Sequence, residues 1–396
     1  MASIIAKQEL FPIIHNMLER AIKPLLLQRL REYPAVALLG SRQCGKTTLA
    51  QSLGGQYFDL EQEPDRLRLD LQFNGLISGQ QLVVLDEAQA WPEIFPRLRG
   101  AIDRRRDCNG RFLLLGSVSP ALMVNVSESL AGRLALLELT PFLWSEATSA
   151  ESRNKLWLHG GYPNGGFLQA DRYPQWQKDY LALLTQRDLP NWGLPAAPAT
   201  TMRLLRMLAA SHGQAWNASR LGQSMALDYK TVNSYLGFLT GAFLLRMLEP
   251  FQRNIRKRLV KSPKMYWRDT GLLHALLNTP DTASLIAQPW VGASWEGFVI
   301  EQLLAELSAR GRQYQPYWFR SSDGHEIDLV LEMDGENWAF EIKLTTAPGI
   351  ADMQRLDKAA DLIGASRRFL VSQSSDAVGD DHRGACNLDW LIKHII

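Results

Sequence analysis

Cysteine is scarce in this chain of 396 residues, which holds only Cys44, Cys108 and Cys386. They lie too far apart for a short metal-ligand spacing, and their odd number argues against a disulfide framework, so a reducing compartment is expected. Long hydrophobic runs are also missing. Stretches such as Leu82–Leu85 and Phe112–Leu115 have the length of strands, whereas a membrane-spanning helix needs about 20 apolar residues. An uninterrupted apolar leader is absent, because Lys7, Glu9, Glu19, Arg20 and Lys23 break the N-terminal stretch. These absences predict a cytoplasmic protein with no membrane partner. Charge of one sign is not in excess either: 43 basic against 41 acidic residues leave +2, so only local clustering can point to a charged partner. Neither internal repeats nor low-complexity segments occur.

The composition itself, 46% apolar and 21% charged, is that of a folded globular protein. The length predicts two or three separate cores. From residue 35 to about 140, short apolar runs alternate with helical stretches: Ala35–Leu39, Gln56–Leu60, Leu82–Leu85, Phe112–Leu115 and Leu134–Leu139. Runs without polar alternation suit strands buried on both faces, as in a parallel sheet covered by helices. The texture changes after Pro141, and Pro190–Pro198, with three prolines, reads as a linker. Helical spacing at Thr201–Ser211, Ser219–Met225 and Tyr229–Gly241, then extended segments near Leu244–Pro250 and Lys264–Arg268, predict a winged helix-turn-helix. From Gly292 the pattern runs helix, strand, strand, strand, helix, strand. The predicted domains are therefore 1–150, 151–285 and 286–396, all within an α/β class.

The strongest motif is Gly40-Ser41-Arg42-Gln43-Cys44-Gly45-Lys46-Thr47, followed by Thr48, set between an apolar strand and a helical stretch. This is a phosphate-binding loop: backbone N–H groups curl around a phosphate, Lys46 neutralises the β- and γ-phosphates, and the Thr47 hydroxyl can hold Mg²⁺. Cys44 reads as a small loop side chain. At the end of the next apolar run but one, Asp86 is placed for the metal and Glu87 to orient the attacking water. Ser117, after Phe112–Leu115, is a candidate sensor of the γ-phosphate. Arg133 has two open readings, a surface salt bridge or an arginine finger acting in its own or a neighbouring subunit of a homo-oligomer.

Taken with Leu85-Asp86-Glu87-Ala88-Gln89, Leu115-Gly116-Ser117, Leu130-Ala131-Gly132-Arg133, Gly160-Gly161-Tyr162-Pro163 and Gln186-Arg187-Asp188, the loop resembles the prokaryotic ATP-binding proteins that pair an AAA+-type ATPase with a C-terminal domain of unknown function. The resemblance covers nearly the whole chain. It implies an AAA-like P-loop core, ATP as the nucleotide and a nuclease-like C-terminal fold.

Between Phe251 and Arg268 lie seven basic residues, Arg253, Arg256, Lys257, Arg258, Lys261, Lys264 and Arg268, with no acidic one. On a wing they would neutralise DNA phosphates. Tyr229, Lys230, Asn233 and Tyr235 stand where a recognition helix meets a groove. The alternative is a solvated face, or one docked on an acidic patch of the protein.

In the C-terminal part, alternation places Ile327, Leu329 and Leu331 on one strand face and Asp328 on the other, while Glu341 and Lys343 share a face of the next strand. Pairing of the two strands would bring Asp328 to Glu341, a pair able to bind Mg²⁺ with Lys343 positioning water. On the preceding helix Glu296 falls on the apolar stripe and Glu301 is expected to be solvated. The constellation Glu296, Asp328, Glu341-x-Lys343 resembles the PD-(D/E)xK nuclease superfamily, with Ile327-Asp328 in place of its Pro-Asp; a surface salt-bridge ladder is the other reading. The leading expectation is an ATPase acting on or near DNA. Its alternatives are a metal-dependent endonuclease with a regulatory ATPase and a nucleotide-switched binding protein acting through a protein partner.

Overall fold

Five short strands begin the architecture: β1 (Ala35–Leu39), β2 (Gln56–Asp59), β3 (Val83–Asp86), β4 (Phe112–Gly116) and β5 (Leu134–Glu138). They form one parallel sheet in the order β2-β3-β4-β1-β5. In this computed structural model residues 18–118, 130–252 and 261–394 are described. Strands β1, β3 and β4 are buried along their whole length, as their unbroken apolar sequences demand. One face packs on Phe95, Leu98 and Ile102 of the helix Ile94–Arg104, the other on Leu26 and Leu49. The order leaves β1 between β4 and β5, and side chains following the C-terminal ends of β1, β3 and β4 therefore meet at one edge, where open α/β sheets bind ligands.

The middle segment carries the helix Pro198–Ala210, a two-residue strand β6 (Gln214–Ala215), the helices Ala218–Met225 and Tyr229–Gly241, and the strands β7 (Leu245–Pro250) and β8 (Lys264–Trp267). Both β6 and β7 run antiparallel to β8. Capping fixes the start of two of these helices: Asn217 accepts from the Arg220 N–H and Asp228 from those of Lys230 and Thr231.

The C-terminal part supplies β9 (Gln315–Arg320), β10 (Glu326–Met333), β11 (Glu336–Ile342), β12 (Arg367–Ser372), β13 (Val378–Gly379) and β14 (Arg383–Asn387). β7 pairs in parallel with β9 through Glu249↔Tyr317 and Pro250↔Trp318. The middle and C-terminal strands thus share one nine-stranded sheet, β13-β14-β12-β11-β10-β9-β7-β8-β6. The helix Val291–Ala309 is buried nearly all round. No helix among the described residues is long and apolar enough to cross a membrane.

Candidate functional site

At the sheet edge after β1, Gly40 turns the chain so closely that a Cβ there would stand 2.1 Å from the Leu139 carbonyl oxygen. Only glycine fits such an approach. The loop then leads into the helix Lys46–Gln51, and Lys46, 5% exposed, donates from Nζ to the carbonyls of Gly40 and Ser41, each at 2.9 Å. The same ammonium lies 3.3 Å from Ser117 Oγ, which donates to Glu87 Oε1 at 2.7 Å. Glu87 holds a left-handed backbone, φ +47°, a conformation that costs a non-glycine residue energy and that Ser117 and the Gln89 amide help to hold in place. Asp86 accepts from Thr47 Oγ1 at 2.7 Å and from the Tyr57 hydroxyl at 2.6 Å. An open cleft of about 430 Å³ joins Arg42, Gln43, Gly45, Lys46, Thr47 and Thr48 to Glu87 and Ser117.

The donor set fits a magnesium nucleotide. Thr47 Oγ1 and the Asp86 carboxylate already touch and would hold Mg²⁺, and Lys46 stands ready for phosphate oxygens. Cys44 contributes backbone only, because its fully buried Sγ donates to the Leu139 carbonyl. Ser41 is buried too, with its side chain away from the cleft lining.

Three neighbours of the loop, Arg20, Tyr57 and Glu61, were not legible as site residues, whereas a fourth, Asp188, was. Arg20 lies under it, donating from Nη1 to the Cys44 carbonyl at 2.9 Å and from Nε to Glu146 at 3.0 Å. Nothing in the sequence distinguishes it from any other N-terminal arginine. Tyr57 touches Asp86 although it belongs to a different strand. Asp188 pairs with Arg42 at 2.5 Å, and Glu61 lies 3.3 Å from the same guanidinium; here the Arg187-Asp188 pair was itself the signal. Burial works against the charge of Arg42, and Asp188, Glu87 and Glu61 overcome it, raising its pKa. Arg133 is outside the cleft lining and forms a two-toothed ion pair with Asp103, at 2.9 and 3.1 Å.

The basic stretch divides. Arg253, Arg256, Lys257 and Arg258 lie outside the described residues; Lys261 is exposed. Lys264, which is buried, and Arg268, which is partly buried, were expected on the same basic face and are instead ion-pair partners within the protein. They sit in and just after β8 with their side chains packed against Glu296, Trp318 and Glu301, so their charges must be met internally. Lys230 is exposed, as expected of a contact residue. Asn233 is exposed as well and accepts from Trp216 Nε1 at 2.9 Å. Tyr235 is not available to a groove: it is 7% exposed and its hydroxyl donates to the Pro195 carbonyl.

The C-terminal carboxylates do gather. β10 runs antiparallel to β11, the Ile342 N–H donates to Asp328 Oδ2 at 2.8 Å, and Lys343 pairs with Glu341 at 2.5 Å. A bulge against β9, between Ile327 and Val330, alters the expected alternation. Ile327 packs with Val330 and Phe319, whereas Leu329 and Leu331 face the other core. An extra residue in one strand re-aims the side chains beside it, and no residue type in the sequence announces this one. A second cation among these carboxylates is Lys264, with Nζ 2.8 Å from Glu326, 3.0 Å from Glu296 and 3.9 Å from Asp328. Burial, then Glu296 and Glu341, push the Asp328 pKa well up. Among the described residues no group of three or more His, Cys, Asp or Glu is placed to hold a metal ion. Glu301 corrects the expectation of a solvated side chain: it is buried between Arg246 and Arg268.

Fold and cleft together define a phosphate-loop protein of the AAA class. An AAA domain model matches residues 32–148, a domain of unknown function (DUF8612) matches 150–283, and another (DUF4143) matches 291–391. The chain belongs to the prokaryotic AAA-type ATPases that carry a C-terminal DUF4143 domain. The uncharacterized proteins Rv2008c of Mycobacterium tuberculosis and Mb2031c of Mycobacterium bovis are each 38% identical over 378 residues, covering 92% of this chain and 84% of theirs. Among solved structures, the Walker-type ATPase PABY2304 of Pyrococcus abyssi aligns with 14% identity and a TM-score of 0.46, over 66% of this chain and 96% of that one.

Proposed function

We propose that the chain hydrolyses ATP with Mg²⁺ and uses the cycle to act on or near DNA. The observation that carries the first part is the continuous contact Lys46–Ser117–Glu87 beside the Thr47–Asp86 pair, all at one cleft. Lys46 exchanges its two loop carbonyls for phosphate oxygens. Mg²⁺, where bound, offsets the phosphate charge; Thr47 and Asp86 are its protein oxygens. Glu87, held by Ser117, orients the water and takes its proton. A purified chain that releases no phosphate from ATP in Mg²⁺ would falsify this part.

The DNA part rests on the order helix, strand, helix, helix and hairpin in the middle segment, which is that of a winged helix, and on exposed Tyr229 and Lys230 at the start of its last helix. Lys230→Glu is expected to weaken binding to duplexes of unrelated sequence by a similar factor, since a phosphate contact carries little sequence information. Titrations of labelled duplex at low salt check it, and unchanged affinity removes Lys230 from the interface.

For the C-terminal domain we favour a scaffold over a metal-dependent nuclease. What supports this is Lys264, whose ammonium already offsets Glu296, Glu326 and Asp328. The expected result is no cleavage of plasmid or branched DNA in Mg²⁺ or Mn²⁺. Cleavage abolished by Asp328→Ala or Glu341→Ala would restore the nuclease.

A further inference from the structure

The segment after the AAA domain reaches back over the phosphate loop through one short turn. Within Gly160–Phe167 the side chain of Asn164 is exposed, while every other residue is buried or half-buried. Several independent anchors hold the turn. The Gly161 N–H donates to Asp269 Oδ2 at 2.9 Å, the Phe142 N–H donates to the Gly161 carbonyl at 2.7 Å, and a Cβ on Gly161 would stand 2.5 Å from the Phe142 carbonyl oxygen. Gln177, completely buried, donates to the carbonyls of His159 and Gly165. Tyr162 is wedged against Trp176 and Tyr180, with ring centroids 5.3 and 5.2 Å apart. The Tyr180 hydroxyl lies 3.4 Å from the Arg42 carbonyl, and Asp188 takes the Arg42 guanidinium. The turn is thereby fixed to the first half of the phosphate loop.

A turn so anchored has no structural use for an exposed amide. Pro163 and Asn164 nevertheless line the same cleft as Lys46, Thr47, Glu87 and Ser117, and the Asn164 side chain has no hydrogen-bond partner among the described residues. A rigid support that carries one unpaired donor into a ligand cleft is the arrangement by which a site recognises an oxygen-rich ligand.

We infer that Asn164 contacts the nucleotide, its side-chain amide donating a hydrogen bond to the terminal phosphate of a bound nucleoside triphosphate. The inference deepens the hydrolysis reading of this cleft and rests on it. The terminal phosphate is the part assigned because the turn is tied to Arg42 and shares the cleft with Glu87 and Ser117, the residues that face the cleaved bond. The helix N-terminus at Thr47 and Thr48 serves the inner phosphates. Asn164 belongs to the middle segment, so the terminal phosphate bridges two parts of the chain and its release removes one of the links between them.

Isothermal titration of the full chain with ATPγS and with ADP, both in Mg²⁺, tests this. Asn164→Ala is expected to weaken ATPγS binding by about tenfold to a hundredfold and ADP binding by less than about twofold, the loss of one hydrogen bond to a charged group. Asn164→Asp places a carboxylate against the phosphate and is expected to lose more ATPγS affinity than Asn164→Ala does. Equal losses for the two nucleotides would place the contact at the base, the ribose or the inner phosphates and overturn the assignment; no loss for either overturns it as well. The melting temperature of Asn164→Ala is expected to equal that of the unsubstituted chain, and a fall would show a structural role instead. Failure of the hydrolysis reading looks different, since the unsubstituted chain would then release no phosphate from ATP in Mg²⁺, whatever the titrations of Asn164→Ala show.

Discussion

Alanine in place of Lys46 is expected to remove at least about a hundredfold of the ATP affinity, while glutamine in place of Glu87 keeps the affinity and lowers turnover by about a hundredfold to ten-thousandfold. The two variants differ because the two side chains meet different parts of the reaction. The Lys46 ammonium is buried at the loop, where it bonds the Gly40 and Ser41 carbonyls, and it trades these for phosphate oxygens when a nucleotide binds. Its loss is felt on binding. Glu87 touches Ser117 and Gln89 and would touch a nucleotide only through water. An amide there keeps the shape and gives up the proton acceptor. Fluorescent-nucleotide titration and phosphate release, measured on both variants, separate binding from turnover. Full hydrolysis by Glu87→Gln would withdraw the role given to that carboxylate.

Removing Glu301 is expected to be the most damaging change for stability, about 3–5 kcal/mol for Glu301→Ala. The carboxylate takes Arg246 at 2.6 and 3.0 Å and Arg268 at 2.6 Å, and Arg268 also reaches Glu138 at the end of β5. Alanine would leave two guanidiniums short of their anion where water does not replace it. Burial works against the Glu301 charge, yet the two arginines win and hold its pKa down to about 2. A folded pKa below the unfolded one means that the stabilisation is complete above the usual carboxylate range and is lost as pH falls toward about 2. The gap between the unsubstituted chain and Glu301→Gln should therefore be full at pH 7 and close on acidification. Denaturant titrations at several pH values read it directly, and a gap that ignores pH would show that packing rather than charge is at stake.

The parts of this molecule that obey short-range rules were legible in the sequence. The unbroken apolar runs of β1, β3 and β4 gave buried parallel strands, and the spacing Gly40 to Thr47 gave the loop between strand and helix. Asp86 and Glu87 follow from standing at a strand end. What escaped was set by elements far apart in the chain. The basic character of Lys264 and Arg268 was plain, but their burial depends on β7 joining β9, a pairing that no local pattern encodes. Helical periodicity placed Glu301 off the apolar stripe of its helix and so in solvent; the helix is surrounded, and every side of it meets protein. Ile327 failed for a smaller reason, since one bulge shifts the alternation.

The β7–β9 ladder has a practical consequence for anyone dividing the chain. Matches to residues 150–283 and 291–391 suggest a cut near residue 287. Such a cut would sever the covalent link between two pieces whose backbones are laced into one sheet, and the isolated C-terminal piece would bare the edge of β9 where Glu249 and Pro250 now pair with Tyr317 and Trp318. An uncovered strand edge recruits other strands, so that fragment is a poor candidate for soluble expression. A cut before residue 150 keeps both sheets whole, but it still parts Glu138 from Arg268, Arg42 from Asp188 and Ser145 from Glu306, so the mechanical unit is larger than either sheet.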